Sequence, residues 1–468
     1  MKSIRKIAVD TVARLGPRYL PFADVATDEV PLSRLLRLSL FQVTVGMALV
    51  LLVGTLNRVM IVELQVPASL VAIMISLPLV FAPFRTLIGF RSDIHTSALG
   101  WRRVPFIWKG TMLQFGGFAI MPFALLVLSG YGEAVDAPKW IGQVSAALAF
   151  LLVGAGVHMV QTVGLALATD LVREDDQPKV VGLMYVMLLF GMIGSALVFG
   201  MLLENYTPGR LIQCIQGAAV VTVVLNGIAL WKQEARDRNR ARSTAPKPRF
   251  SESWEKLVQR PGAIRLLVVI ALGTFGFGMA DVLLEPYGGQ VLGLSVAATT
   301  KLTAVLAGGG LIGFALASHT LGRGASPTMV AWYGALVGVP AFAAIIMSGQ
   351  ATGSGLFVAG TLAIGFGAGL FGHGTLTATM RAAPREQVGL ALGAWGAVQA
   401  TAAGIAVALG GVIRDIIIGL PGSETSGVAA SYTTVFAIEM LFLVLALCVV
   451  FPMRRKRARP DRSQAYIS

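Results

Sequence analysis

Charge is scarce in this chain. Asp, Glu, Lys and Arg make up 13% of its 468 residues, about half the ~25% of a soluble globular domain. Water is therefore not the solvent for most of the surface, which excludes a soluble enzyme or binding module. Cysteine is nearly absent, at two residues. Cys214 and Cys448 lie in separate apolar runs and read as small core residues, not as a disulfide or metal framework. Histidine numbers only four, and no zinc-type spacing, phosphate-binding glycine loop or nucleophile elbow occurs. The apolar runs hold no converging cluster of polar groups, so the chain reads as a non-enzyme without a metal site.

Apolar sequence is what the chain has in abundance, at 55% of residues. Twelve runs begin near Leu38, Pro67, Val104, Trp140, Val180, Leu211, Ile264, Ser295, Thr328, Ser354, Gln387 and Ser431. Each can supply the ~20 residues that a helix needs to cross a bilayer. Backbone in hydrocarbon must be paired internally, and runs this long and continuous are helices and not barrel strands. The expected fold is an all-α membrane protein: twelve transmembrane helices in two pseudo-symmetric six-helix bundles, with both termini cytoplasmic. The net charge of +14 fits that topology. All but Arg58, Lys139, Arg210, Lys301 and Arg414 of the 38 Lys and Arg residues fall on the cytoplasmic side, roughly 33 in all. The basic balance is thus a topology signal with attraction to anionic membrane lipids as a by-product, and no nucleic acid partner is expected.

Residues 1–37 are expected to form a cytoplasmic N-terminal segment. Ile4, Ile7, Ala8, Val12 and Leu15 share one helical face there, and Lys2, Arg5, Lys6 and Arg14 surround the other. That pattern predicts a helix lying on the membrane surface. The first bundle then spans 38–231, a polar and Pro-interrupted cytoplasmic linker 232–263, the second bundle 264–452, and a basic cytoplasmic tail 453–468. The halves repeat weakly. Ala168-Thr169 matches Ala378-Thr379, a short charged loop and Val-Gly-Leu follow each, and Gly54-Thr55-Leu56-Asn57 overlays Gly278-Met279-Ala280-Asp281. Gly309/Gly313, Gly365/Gly369 and Gly389/Gly393 are small-x-x-x-small pairs, which pack helices or leave a cavity.

Helices 1, 4, 7 and 10 of such a bundle pair are small and apolar at mid-span, so the expected cargo is hydrophobic. The charged residues within or beside the spans include Arg58, Glu63, Asp281, Glu285, Lys301 and Glu439, and Arg414 and Asp415 end helix 11. Such charges are costly in lipid, and they pair or work. Arg58 and Glu63 are five residues apart, off a common α-helical face, so each should need another partner. Asp281 and Glu285 are four apart and share a face. They either form a static lock with Arg58 or Lys301 or take up protons. Glu439 stands isolated at mid-span, awaiting a partner or a proton. His158 lies three residues before Gln161, and His373 sits between two glycines. Either imidazole is a packing residue or an axial ligand for a macrocycle metal.

The loop Gly89-Phe90-Arg91-Ser92-Asp93 through Gly100-Trp101-Arg102-Arg103 resembles the Gly-x-x-x-Asp, Gly-x-Arg-Arg loop between helices 2 and 3 of the major facilitator superfamily. It carries an extra spacer, Ile94 to Leu99. Gly89, Asp93, Gly100, Arg102 and Arg103 make up this cytoplasmic loop motif, and Asp93 with Arg102 and Arg103 is expected to latch helices together. Four strings are more specific. They are Leu56-Asn57-Arg58-Val59-Met60-Ile61-Val62-Glu63-Leu64, Phe81-Ala82-Pro83-Phe84-Arg85 running into that loop, Leu99-Gly100-Trp101-Arg102-Arg103-Val104-Pro105, and Asp281-Val282-Leu283-Leu284-Glu285-Pro286-Tyr287-Gly288-Gly289-Gln290. On these the chain resembles the bacteriochlorophyll delivery family of the superfamily. The resemblance implies an assembly factor for light-harvesting antenna complexes of a purple bacterium. It would sit in the inner (cytoplasmic or intracytoplasmic photosynthetic) membrane, binding bacteriochlorophyll a as cargo and delivering it to antenna polypeptides. Bacteriochlorophyll synthase and a membrane insertase are the further partners implied. His158, Gln161, His373, Gly369, Phe366 and Phe275 are then the candidate pigment-binding residues. The alternative is a proton-coupled major facilitator transporter of a hydrophobic or small-molecule substrate.

Overall fold

The structure, a computed structural model, describes residues 30–80, 88, 91–92, 95, 101–130, 134, 136–173, 176–234, 259, 262–382, 388–420 and 427–455. The expected surface helix at 4–15, most of the linker and most of the basic tail lie outside these, as do Gly89, Asp93 and Gly100.

The described chain is helical throughout. Helix α1 spans Leu32–Glu63, α2 Ala68–Val80, α3 Val104–Ser129, α4 Lys139–Asp170, α5 Gln177–Leu202 and α6 Pro208–Leu230. Helix α7 runs as α7a (Ala263–Gly278) and α7b (Ala280–Gln290). It is followed by α8 Val296–Gly322, α9 Pro327–Ser348, α10 Gly355–Ala382, α11 Val388–Ile418 and α12 Gly427–Arg455. Among the described residues, eleven spans are long and apolar enough to cross a membrane, and α2 is a shorter apolar helix. The starts fall within a few residues of the expected ones except at α1, which begins six residues earlier at Leu32 and not Leu38. Arg34 and Arg37 make that first turn look polar, yet Arg34 is bound: its Nη2 donates to the Gln233 carbonyl (2.8 Å) and its Nε to Gln233 Oε1 (3.2 Å).

Contacts divide the chain into two compact units, Met1–Val66 with Ile73–Ala245 and Leu294–Ala304, and Pro67–Ala72 with Pro246–Gly293 and Val305–Ser468. In the first unit α3 packs along α4 and against α6, and α1 packs on α5 and α6. In the second unit α9 packs along α10 and against α12, and α7a packs on α11 and α12. The same pairings recur six helices later, as the weak sequence repeat implies. Apolar contact gives no preference over lipid tails, so close approach at small residues supplies the packing. A Cβ on Gly156 of α4 would stand 2.5 Å from the Gly110 carbonyl oxygen of α3. A Cβ on Gly365 of α10 would stand 2.0 Å from the Leu306 carbonyl oxygen of α8. Cys214 is buried, whereas Cys448 is exposed on α12, so the expectation of two core cysteines holds for one of them. In a membrane helix the exposed face meets lipid, and a thiol is apolar enough to sit there.

Candidate functional site

In the first unit, the Arg pair before α3 is a cross-helix tie. Arg103 donates through Nε to Asp170 Oδ2 at the end of α4 (2.7 Å) and through Nη1 to Ser92 Oγ (2.9 Å). Arg102 Nη2 reaches the same Asp170 oxygen at 2.6 Å. Glu234, just past α6, accepts the backbone N–H groups of Arg102, Arg103 and Val104 at 2.8–3.0 Å. A helix start leaves these donors unpaired and favours negative charge, so a carboxylate from a distant segment caps α3. Arg102 and Arg103 are thus tied to Asp170 and Glu234, two acids that sequence reasoning passed over, while Asp93, the acid expected in the latch, lies outside the described residues.

At the other end of α1, Arg58 and Glu63 form an ion pair with each other, contrary to the expectation that each needs another partner. The reason is backbone register. Helix α1 turns into π-helix at Val50–Leu56 and Val59–Glu63, with the Leu64 amide bonded to the Val59 carbonyl. A π-turn bonds i to i+5, which brings residues five apart onto one side. Arg58 Nη2 also donates to the Leu294 carbonyl at 3.0 Å, and Lys301 Nζ lies 4.0 Å from Glu204. The two cations expected to lock Asp281 or Glu285 are thus engaged within the first unit. Beside this pair, burial and the Glu63 charge push the Tyr206 hydroxyl up to about 12, so it stays neutral.

The core of this unit is more polar than the sequence suggested. Thr44 Oγ1 donates to Asn226 Oδ1 (2.8 Å), and Asn226 Nδ2 donates to Thr111 Oγ1 (2.9 Å), linking α1, α6 and α3. Gln42 and Gln114 are fully buried nearby in sequence, and the amide atoms of both lack hydrogen-bond partners among the described residues. Lone amides inside apolar runs were the signal that could have found this cluster. His158 and Gln161 lie on one face of α4 and are both half-buried.

In the second unit, α7 is interrupted at Met279. Glu439 of α12, fully buried, accepts the Ala280 N–H through Oε1 at 2.7 Å. Its partner is thus a backbone amide at the broken ladder, and its Oε2 has no hydrogen-bond partner among the described residues. A carboxylate at a helix start is favoured by the helix dipole. Asp281 and Glu285 share a face of α7b; Glu285 is buried, and Asp281 keeps accessible surface although protein surrounds it on all sides. Further along, Tyr287 packs its ring against Phe357, Tyr432 and Phe436, each with centroids 5.5 Å away. Gln290 Oε1 accepts from Arg414 Nη2 (2.7 Å) and Tyr432 OH (2.8 Å). Asp415 bonds Arg414 and accepts the Ser69 backbone N–H, each at 2.7 Å.

The candidate pigment residues of this unit form two groups. Phe366, Gly369 and His373 lie on one face of α10 and meet α8. A Cβ on Gly369 would stand 2.4 Å from the Gly310 carbonyl oxygen, and the His373 ring tilts against Phe314 at 4.2 Å. Phe275 of α7a instead stacks on Phe442 of α12 at 5.1 Å. Gly369 is a packing glycine, whereas a Cβ on Gly372, beside His373, would meet nothing within 4 Å. His373 is half-buried, and its Nδ1 has no hydrogen-bond partner among the described residues.

Two sets of six helices with matching internal pairings define an all-helical, multi-pass membrane protein with the fold of major facilitator transporters. The nucleoside transporter NupG superposes with a TM-score of 0.67 at 14% identity, over 90% of this chain and 99% of that one. A bacterial homologue of the human lysosomal transporter Spinster gives 0.64 at 14% identity, over 92% and 98%. The family model described as PUCC protein matches residues 55–458, and the chain belongs to that family. "Protein PucC" of Rhodobacter capsulatus is 67% identical over 460 residues, 97% of this chain and 99% of that protein. A more distant relative from the same species, "Bacteriochlorophyll synthase 44.5 kDa chain", is 28% identical over 88% of this chain and 94% of that one. Membership supports a role in assembling photosynthetic complexes in purple bacteria.

Proposed function

We propose that this protein binds bacteriochlorophyll in the inner membrane and delivers it to light-harvesting antenna polypeptides, without catalysing a reaction. Family membership across residues 55–458 carries the reading. His373 supports it locally: its Nδ1 lacks a hydrogen-bond partner among the described residues, and the neighbouring Gly372 leaves open space. A neutral imidazole nitrogen is a suitable axial ligand for a macrocycle metal. Bacteriochlorophyll a, arriving from the synthase or the lipid, is the cargo, and antenna polypeptides, with an insertase, are the partners. The test is an absorption spectrum of protein purified from pigment-making cells. Co-eluting bacteriochlorophyll is expected, reduced in His373→Ala. A colourless wild-type preparation overturns the reading, and loss in His158→Ala alone moves the ligand to α4.

A second reading, proton-coupled transport of a hydrophobic or small-molecule substrate, is favoured by one observation. Glu439 is a buried intramembrane carboxylate with one oxygen lacking a partner among the described residues, and ionisable groups at such depth are by default functional. It predicts pH-gradient-driven uptake in vesicles that Glu439→Gln, Asp281→Asn or Glu285→Gln abolishes. Intact uptake in all three removes the coupling role from these carboxylates.

A further inference from the structure

Helices α1, α5 and α6 enclose a groove of about 540 Å³ within the first unit. Its space exists because side chains are missing. A Cβ on Gly194 of α5 or on Gly217 of α6 would meet nothing within 4 Å. The walls are apolar, and Phe190, Val198 and Val221 present exposed faces there, as lipid-facing side chains do. One end is different. Arg210, in the first turn of α6, is exposed and has no ion-pair partner among the described residues; Gln213 follows one turn on. From Arg210 to Leu225 the lining runs 15 residues along α6, about 22 Å at 1.5 Å per residue. That is more than half of the ~30 Å hydrocarbon thickness.

A long apolar slot with a single cation at its mouth matches an amphiphile with an acidic head and a linear chain. We infer that the groove seats one acyl chain of an anionic phospholipid, whose phosphate, not neutralised by a cationic headgroup, is held by Arg210. The glycines set the depth of the slot, and the arginine selects the head. One basic side chain near a membrane surface contributes ~1 kcal/mol toward an acidic lipid, about a fivefold preference.

The test uses the full chain in nanodiscs of equal phosphatidylglycerol and phosphatidylcholine, followed by delipidation and native mass spectrometry. The wild type should retain one phosphatidylglycerol per chain with about fivefold preference over phosphatidylcholine, the ~1 kcal/mol above. Gly194→Leu and Gly217→Leu should abolish retention without lowering thermal stability, since neither Cβ meets a packed neighbour and a mid-helix glycine is itself unfavourable. Arg210→Gln should retain a lipid but lose the preference. Equal retention of the two lipids by the wild type overturns the role of Arg210. Lipid retention unchanged in both leucine variants overturns the groove. If those variants keep the lipid but shed a co-purifying antenna polypeptide or pigment, the slot belongs to that occupant and the lipid assignment fails.

Discussion

Replacing Glu439 with Leu and, separately, with Gln isolates the hydrogen bond that holds the break in α7. Both substitutions remove the carboxylate charge, its desolvation cost and its attraction to the α7b dipole, so these opposing contributions drop out of the comparison between them. Only Leu also removes the acceptor that takes the Ala280 N–H at 2.7 Å. The amide at the break is buried, with Ala280 1% exposed and Met279 equally so. An orphaned buried donor costs about 1–3 kcal/mol, so the Leu variant should be less stable than the Gln variant by about 2 kcal/mol. A domain of ~150–250 residues loses ~2–4 °C per kcal/mol, which predicts a gap of about 4–8 °C in detergent thermal unfolding. Hydrogen–deuterium exchange should report the same event locally, with peptides spanning residues 279–283 exchanging faster in the Leu variant. A Leu variant as stable as the Gln variant, with unchanged exchange, would refute the claim that Glu439 closes the helix break.

Three further outcomes follow from the packing. Arg103→Lys loses the forked contact to Asp170 and Ser92 and should lower stability by about 1 kcal/mol, held down by the partial exposure of Asp170; a double-mutant cycle with Asp170→Asn measures it, and zero coupling refutes the tie. Gln114→Met replaces a fully buried amide lacking partners among the described residues, and should raise the unfolding temperature by removing a penalty of ~1–3 kcal/mol. A marked drop in stability there would mean that the amide serves a bound group. Gly309→Ala places a Cβ 2.1 Å from the Leu362 carbonyl oxygen and should cost at least the ~1–3 kcal/mol of an overpacked core. Gly308→Ala meets nothing within 4 Å and should be neutral or stabilising by ~0.5–1 kcal/mol, so equal effects from this adjacent pair would contradict the α8–α10 contact.

Helix number, helix starts and the two-fold repeat were legible because they depend on hydropathy, which any helix in lipid must display. Val104, Pro327 and Gly355 begin helices where the apolar runs begin. Pairing of the charges was not legible, for two physical reasons. Facing between Arg58 and Glu63 depends on turns of π-helix, and the α-helical spacing rule assigns them to different sides. The partners of Glu234 and Glu439 are backbone amides, which have no letter in the sequence. Gly276 and Gly278 lower helix propensity near the break in α7, but nothing nearby in sequence names an acid on α12 as its acceptor. The strings on which the sequence resemblance rests include these same places: Arg58 and Glu63 in one, Tyr287 and Gln290 in another, where they organise the ion and aromatic contacts at a helix end.

Glycine content alone cannot separate a packing surface from a binding one, because both uses leave the same letter. What separates them is what a Cβ would meet. Gly309, Gly313, Gly365 and Gly369 would each drive a Cβ to within 2.4 Å of a neighbouring carbonyl oxygen. Their cost in helix propensity is offset by the approach of α8 to α10, so the small-x-x-x-small pairs in that stretch are packing devices. Gly194, Gly217 and Gly372 meet nothing. A glycine in mid-helix costs about 1 kcal/mol relative to alanine with no contact in return. Two of these three line the α1–α5–α6 groove, and the third stands beside the His373 imidazole. In a chain whose cargo is expected to be apolar, open glycines that also border a groove or an imidazole are where a ligand should be sought, and alanine or leucine at Gly194, Gly217 and Gly372 should affect binding before it affects the fold.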